Sequence, residues 1–136
     1  MLTYPVVDHY TGNYPSYVEC AKGQALTTPI MHWFWDHYLG GVDPHGEAAS
    51  RAYPIRSALL NILPPAILCT CGRDPLRDEG IALNDKLEAA GVSVEYRHYP
   101  ESEHGFACSM GDTSDYRDWL ESCAEFVRRF DDRPEG

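Results

Sequence analysis

The densest apolar stretch of the chain, Ala66-Ile67-Leu68-Cys69-Thr70-Cys71, is introduced by Pro64-Pro65 and released by Gly72. A run of this kind, without polar alternation, marks a strand buried on both faces, and such strands belong to parallel sheets covered by helices. Downstream the periodicity changes. Asp78 is placed to cap a helix running to Ala90, with Leu83 and Leu87 on one stripe and Gly91 as a left-handed terminator. Val92, Val94 and Tyr96 then alternate as in a strand. From about Asp115 the apolar positions Tyr116, Trp119, Leu120, Cys123, Phe126, Val127 and Phe130 recur with helical spacing.

Upstream, Leu2 to Asp8 reads as a short strand in which Pro5, lacking an N–H, belongs near an edge or an end. Residues 9–27, rich in Tyr, Gly, Pro and Ser, read as irregular. Thr28 as N-cap, Pro29 at the first helical position and Gly40-Gly41 as the stop define a helix. Its Ile30, Trp33, Phe34, Trp35 and Tyr38 cover more than one face, the pattern of core packing or of a pocket wall. Residues 43–54 form a polar connection, and 55–63 hold a short helical turn. The order strand, long excursion, strand, helix, strand, helix predicts one α/β domain over 1–136 with right-handed crossovers. The excursion spans 9–63, a strand-helix-strand-helix unit spans 64–130, and 131–136 reads as a frayed tail.

At 136 residues, 43% of them hydrophobic, the chain is long enough for one modest core. The formal net charge of -10 argues against a nucleic-acid or anionic-membrane partner, because acidic side chains repel phosphate. No apolar stretch is long enough for a membrane span, and the first residues lack the pattern of a secretory signal, so the expected location is cytoplasmic. Five irregularly spaced cysteines, Cys20, Cys69, Cys71, Cys108 and Cys123, read as reduced, buried thiols rather than a disulfide framework. Cys69 and Cys71 share one face of a strand without a zinc-knuckle spacing, and no metal is expected.

Two turns carry the chemistry. Asp74-Pro75-Leu76-Arg77-Asp78-Glu79-Gly80 follows the first buried strand, and His104-Gly105-Phe106 follows the next. In open α/β sheets reactive groups gather beyond the carboxyl ends of strands. An aspartate that accepts from one imidazole nitrogen fixes the tautomer and leaves the other nitrogen to take a proton from a hydroxyl. Asp74 and His104 are therefore the candidate acid and base. Asp78 and Glu79 are read as helix cap and helix-dipole partner, and Glu103 is a further carboxylate nearby. The third member of a triad is missing: no Gly-x-Ser-x-Gly occurs, and Gly91-Val92-Ser93-Val94-Glu95 lacks the second glycine and lies in a predicted strand.

The segments Tyr4-Pro5-Val6-Val7-Asp8, Met31 to Leu39, Leu63-Pro64-Pro65-Ala66, Asp74 to Gly80, Ala89-Ala90-Gly91-Val92 and His104-Gly105-Phe106 resemble the C-terminal half of an α/β-hydrolase of the hormone-sensitive-lipase-like esterase family. The resemblance implies a partial α/β-hydrolase fold, the last three strands of a mostly parallel sheet with flanking helices. It also implies a carboxylic-ester hydrolase in which Asp74 is the triad acid and His104 the general base. Short or medium acyl esters would be cleaved through an acyl-enzyme, without metal or organic cofactor. Trp33, Phe34 and Phe106 are the substrate-pocket candidates. The family's His-Gly-Gly-Gly oxyanion segment and Gly-Asp-Ser-Ala-Gly elbow have no counterpart here, so the chain alone is expected to be inactive. A sheet edge left unpaired invites self-association or a complementing chain. The competing expectation is a non-catalytic module that binds a partner through that edge.

Overall fold

The computed structural model describes residues 1–109 and 111–131. Three parallel strands form one sheet in the order β1 (Leu2–Thr3), β2 (Ala66–Arg73), β3 (Val94–Glu103). Between β1 and β2 lie α1 (Pro15–Glu19), α2 (Thr28–Leu39) and several short 3-10 segments. α3 (Arg77–Ala89) crosses from β2 to β3, and α4 (Phe106–Ser109) and α5 (Ser114–Asp131) come after β3. The α/β order expected from the pattern is present, and three parallel strands with flanking helices match the partial fold that the resemblance implies. The predicted tail beyond residue 131 lies outside the described residues.

β2 is the centre of the molecule. Ile67, Leu68 and Cys69 have no exposed surface, and their alternation sends Leu68 into a core with Leu83, Leu87 and Val92, and Ile67, Cys69 and Cys71 into a second with Trp119 and Phe126. Each face of β2 is thus covered by one helix, α3 on one side and α5 on the other, as a continuous apolar strand requires. Burial pushes the thiols of Cys69 and Cys71 up, away from thiolate chemistry. All five cysteines are free, but Cys108 is exposed, against the expectation that all are buried.

Several boundaries differ from those the sequence predicts. β1 pairs for only two residues, because Tyr4 turns to a positive φ of 37° directly before Pro5, whose missing N–H ends the ladder. The 9–27 stretch is partly helical, with a 3-10 turn at Tyr10–Gly12 and α1 opened by Pro15. Thr27, not Thr28, is the N-cap of α2, while Gly40 closes it in the left-handed conformation as expected. The cap of α3 is Leu76, with no side-chain hydrogen bond. Asp78 instead sits inside the first turn and accepts from the Ser16 N–H at 2.8 Å, tying α1 to α3.

Glu79 departs furthest from its expected role at the helix dipole. It is fully buried, and its Oε1 accepts from the backbone N–H groups of Val7 at 2.7 Å and Asp8 at 3.3 Å, while the Tyr17 hydroxyl donates to Oε2 at 3.1 Å. Three separate stretches of chain meet on one carboxyl. Burial pushes that carboxyl up to about 8, and the three donated hydrogen bonds oppose the rise without cancelling it. Close packing also fixes Gly80, where an added Cβ would stand 2.6 Å from the Thr70 methyl beneath the helix.

These contacts can be tested by two stability measurements. Gly80→Ala gains helix propensity of up to about 1 kcal/mol but forces a clash costing roughly 1–3 kcal/mol, so urea denaturation should show a net loss. In a Thr70→Ser background the methyl is gone and the serine hydroxyl can still meet Tyr96 and His98, so Gly80→Ala should become stabilising there. Equal losses in both backgrounds would refute the contact. For Glu79, the folded protein keeps a proton up to about pH 8 that the unfolded chain releases near 4.5. Stability from this group is therefore complete below pH 4.5 and falls as pH rises toward 8. Thermal melts across that window should show Glu79→Gln flattening the slope relative to wild type.

Candidate active site

Asp74 is the first residue after β2, and His104 the first after β3. Because the two strands are parallel neighbours, their carboxyl ends open side by side at the same edge of the sheet. The ladder is regular from Ala66↔Val94 to Cys71↔Tyr99 and then shifts, Arg73 facing Glu103 across an irregularity in β3. Such a bulge re-aims the residues beyond it. Gly72 sits at this point with Pro100 so close that an added Cβ would stand 2.0 Å from the Pro100 carbonyl oxygen. A side chain there would push apart the two strand ends that deliver the acid and the imidazole.

The structure brings the two residues together. His104 Nδ1 donates to Asp74 Oδ2 at 2.8 Å, while Asp74 Oδ1 accepts from the Leu76 N–H at 2.8 Å. The aspartate is buried, its side chain 1% exposed, and the imidazole is 27% exposed. One carboxylate oxygen is thus fixed by its own turn, and the other is left for the ring. With Nδ1 donating, Nε2 carries a lone pair able to accept a proton. The other carboxylates near the turn are engaged elsewhere: Asp78 with Ser16 and Arg77, Glu79 with Val7, Asp8 and Tyr17, and Glu103 with the Ala25 N–H at 2.8 Å.

Tyr4 is a neighbour that the sequence pattern did not single out. Its ring lies 4.4 Å from the imidazole, centroid to centroid, tilted by 56°. Its hydroxyl donates to Cys108 Sγ at 3.5 Å, and burial together with this contact pushes its pKa well above the usual tyrosine range. His104 is held between the carboxylate and this ring. The only sequence signal for Tyr4 is its place before Pro5, where an abrupt end to the strand redirects the side chain.

A cavity of about 460 Å³ opens beside His104, walled by apolar side chains of α2 and its surroundings, among them Met31, Phe34, Trp35 and Tyr38. Phe34 lines it as expected. Trp33 does not: it is 55% exposed and lies against His37 and Phe34 on the outer side of α2. Phe106 is buried, packed edge-on to Tyr4 and against Tyr99, where it anchors the His104 loop from behind. Helical periodicity left the wall ambiguous because α2 is aromatic on several faces, and only Met31 and Trp35 of that helix are buried. Val6, Leu26 and Arg51 also line the cavity, and none of them was singled out in the sequence as a pocket residue. Among the described residues no group of three or more His, Cys, Asp and Glu is arranged to hold a metal ion, and no helix is long and apolar enough to cross a membrane.

Residues 1–108 match the family model of the alpha/beta hydrolase fold. Esterase LipI of Mycobacterium tuberculosis (strain ATCC 25618 / H37Rv) is 39% identical over 97 residues, which cover 71% of this chain and 30% of the relative. Carboxylic ester hydrolase LipN of the same organism is 37% identical over 107 residues, 77% of this chain and 27% of the relative. The crystal structure of EstE1, a thermophilic carboxylesterase cloned from a metagenomic library, superposes with a TM-score of 0.83 at 31% identity over 94% of this chain and 43% of that one. The chain spans less than a third of the length of the curated relatives it matches. On the family match, the shared strand-end architecture and the esterase relatives together, the chain belongs to the α/β-hydrolase fold family, in its hormone-sensitive-lipase-like esterase group.

Proposed function

We propose that this chain is the acid-and-base portion of a serine carboxylic-ester hydrolase, with Asp74 as triad acid and His104 as general base. The observation that carries the reading is the 2.8 Å hydrogen bond from His104 Nδ1 to the buried Asp74 carboxylate, at adjoining strand ends and beside an apolar cavity. The nucleophile and the oxyanion donors come from residues outside the 136, since no Gly-x-Ser-x-Gly is present.

In the completed site, His104 Nε2 accepts the proton of a serine hydroxyl as its oxygen attacks the ester carbonyl carbon. The tetrahedral intermediate then collapses, the bond to the alcohol oxygen breaks, and the imidazolium returns the proton to the leaving alkoxide. Water, deprotonated by the same nitrogen, attacks the acyl-enzyme; its collapse releases the carboxylic acid and restores the serine. The Asp74 carboxylate holds the ring in place and stabilises the transient imidazolium. The 460 Å³ cavity has room for a short or medium acyl or alcohol group against Met31, Phe34 and Trp35.

A second reading is supported by β1. It is one of the two outer strands of the described sheet, pairs only with β2 there, and leaves one edge to another strand. That edge is the place where a complementing segment or a second copy would add.

Mixing the purified chain with an N-terminal half of a related esterase that carries the serine elbow should produce hydrolysis of a short-chain p-nitrophenyl ester, followed as released nitrophenol. His104→Ala should remove it. Asp74→Asn, which leaves the shape but favours the wrong tautomer, should lower kcat by roughly 10³- to 10⁴-fold. A stable complex without His104-dependent turnover would favour the interaction module, and turnover by the chain alone above its His104→Ala variant would overturn the proposed division of the triad.

A further inference from the structure

The wall of the cavity beside His104 is mostly apolar, and apart from the imidazole its one ionisable cation is the guanidinium of Arg51. Arg51 stands in the 3-10 segment Glu47–Ala52. Like Arg97, which meets only the Ser122 hydroxyl, and Arg128, it has no carboxylate partner among the described residues, but it lines this cavity. Arg56, Arg73, Arg77, Arg117 and Arg129 each hold a carboxylate at 2.5 to 2.9 Å. Arg51 has no ion pair or side-chain hydrogen bond among the described residues, in a chain with 21 acidic and 11 basic residues. An arginine left without a carboxylate on so acidic a protein offers five unused N–H donors in a fork that matches a carboxylate.

Arg51 and Pro54 also line a neighbouring groove of about 640 Å³. Its far wall is made by Leu59, Ile62 and Leu63, which are 62%, 69% and 47% exposed. Arg56 lies on this wall too, but its charge is met by Asp8 at 2.6 Å and its guanidinium covers the Tyr53 ring at 4.3 Å. The net positive charge of the combined space therefore belongs to Arg51, placed at the junction of two apolar compartments.

We propose that the cavity beside His104 and the groove beyond it form one binding site for anionic amphiphiles, compounds that join an apolar chain to a carboxylate, with Arg51 as the group that selects the anion. The apolar chain is bound by removal from water against Met31, Trp35 and, past the junction, Leu59 and Ile62. The carboxylate is bound by charge-assisted hydrogen bonds from the guanidinium. The general field of a chain of net charge -10 disfavours anions, so the preference is a local property of this one side chain. That such a compound is also turned over, as an ester bearing a carboxylate elsewhere on the molecule, rests on the function proposed above; that it binds does not.

Binding is tested without catalysis, by calorimetry and by following the Arg51 Nε–H resonance, with decanoate, decanol and decyltrimethylammonium as probes. Decanoate should bind roughly fivefold more tightly than decanol and shift the Arg51 resonance, and the cationic probe should bind more weakly than either. Arg51→Gln should abolish the difference between decanoate and decanol while decanol binding is retained. Arg51→Lys, a point charge without the fork, should keep part of it. Arg51 is exposed, and an unchanged melting temperature verifies that the variants fold. Equal binding of decanoate and decanol, a preference that survives Arg51→Gln, or no binding of decanoate would each overturn the site. A decanoate preference in a protein whose completed form shows no His104-dependent hydrolysis would leave the site standing and remove the proposed reaction.

Discussion

A carboxyl with no exposed surface and, among the described residues, no cation paired to it holds this molecule's parts in place. Glu79 accepts two backbone N–H groups from Val7 and Asp8 and one hydroxyl from Tyr17. The need arises at the other end of the contact. β1 stops at Thr3, so the chain that continues inward from Pro5 has left the ladder while Val7 and Asp8 are already buried. Buried N–H groups that no strand can satisfy must find another acceptor, and an unpaired one costs about 1–3 kcal/mol. Placing a carboxyl in the first turn of α3 meets two of them at once. The path of residues 4–9 is set by that contact: Tyr4 against His104, Val6 on the cavity, Asp8 toward Arg56.

The catalytic candidates depend on a different element, the β2–β3 ladder. Parallel strands in register end together, and one residue past each end stand Asp74 and His104. Three local features then refine the meeting. Gly72 admits the Pro100 backbone, the Leu76 N–H occupies one carboxylate oxygen, and buried Phe106 anchors the loop on which the imidazole is carried. The acid and base are therefore set by residues 66–106, whereas the cavity's apolar wall comes mainly from residues before 55.

This division also explains how much of the molecule is legible in its sequence. β2, the helix after it and the amphipathic α5 were legible because burial on one or both faces writes itself into the period of apolar residues. Asp74 and His104 were legible because a strand end leading into a turn is visible in sequence, and parallel neighbours must open on one edge. Glu79 was misread because a glutamate in the first turn of a helix ordinarily faces solvent, and the demand it satisfies comes from residues 72 positions away. Trp33 and Phe34 are adjacent aromatic residues on one helix, yet only Phe34 reaches the cavity; the rotation of α2 is set by contacts of Met31 and Trp35 with Tyr17, Tyr53 and Leu76 that no local pattern encodes. Arg51 left no trace at all, since its significance lies in the absence of a partner.

The wall is attached to the catalytic edge by the apolar cluster around Leu76 and by a set of polar contacts at its rim. Ser16 donates its N–H to Asp78 and its hydroxyl to the Pro75 carbonyl, Arg77 reaches Glu19, Tyr17 reaches Glu79, and Ala25 donates to Glu103. On the catalytic side these partners all lie in, or directly beside, the two turns that carry Asp74 and His104 or in the first residues of α3. Hydrogen bonds of defined direction fix position without demanding a particular apolar shape, so the exposed wall residues, Phe34, Tyr38 and Arg51, can differ in size and charge while the anchors and the buried Met31 and Trp35 keep the distance to the imidazole. A recognition surface tied down at its rim, beside an acid–base pair built on a regular ladder, separates what is bound from how it is attacked. An unpaired arginine on that surface is tolerated for the same reason: nothing in the ladder or the anchors depends on it.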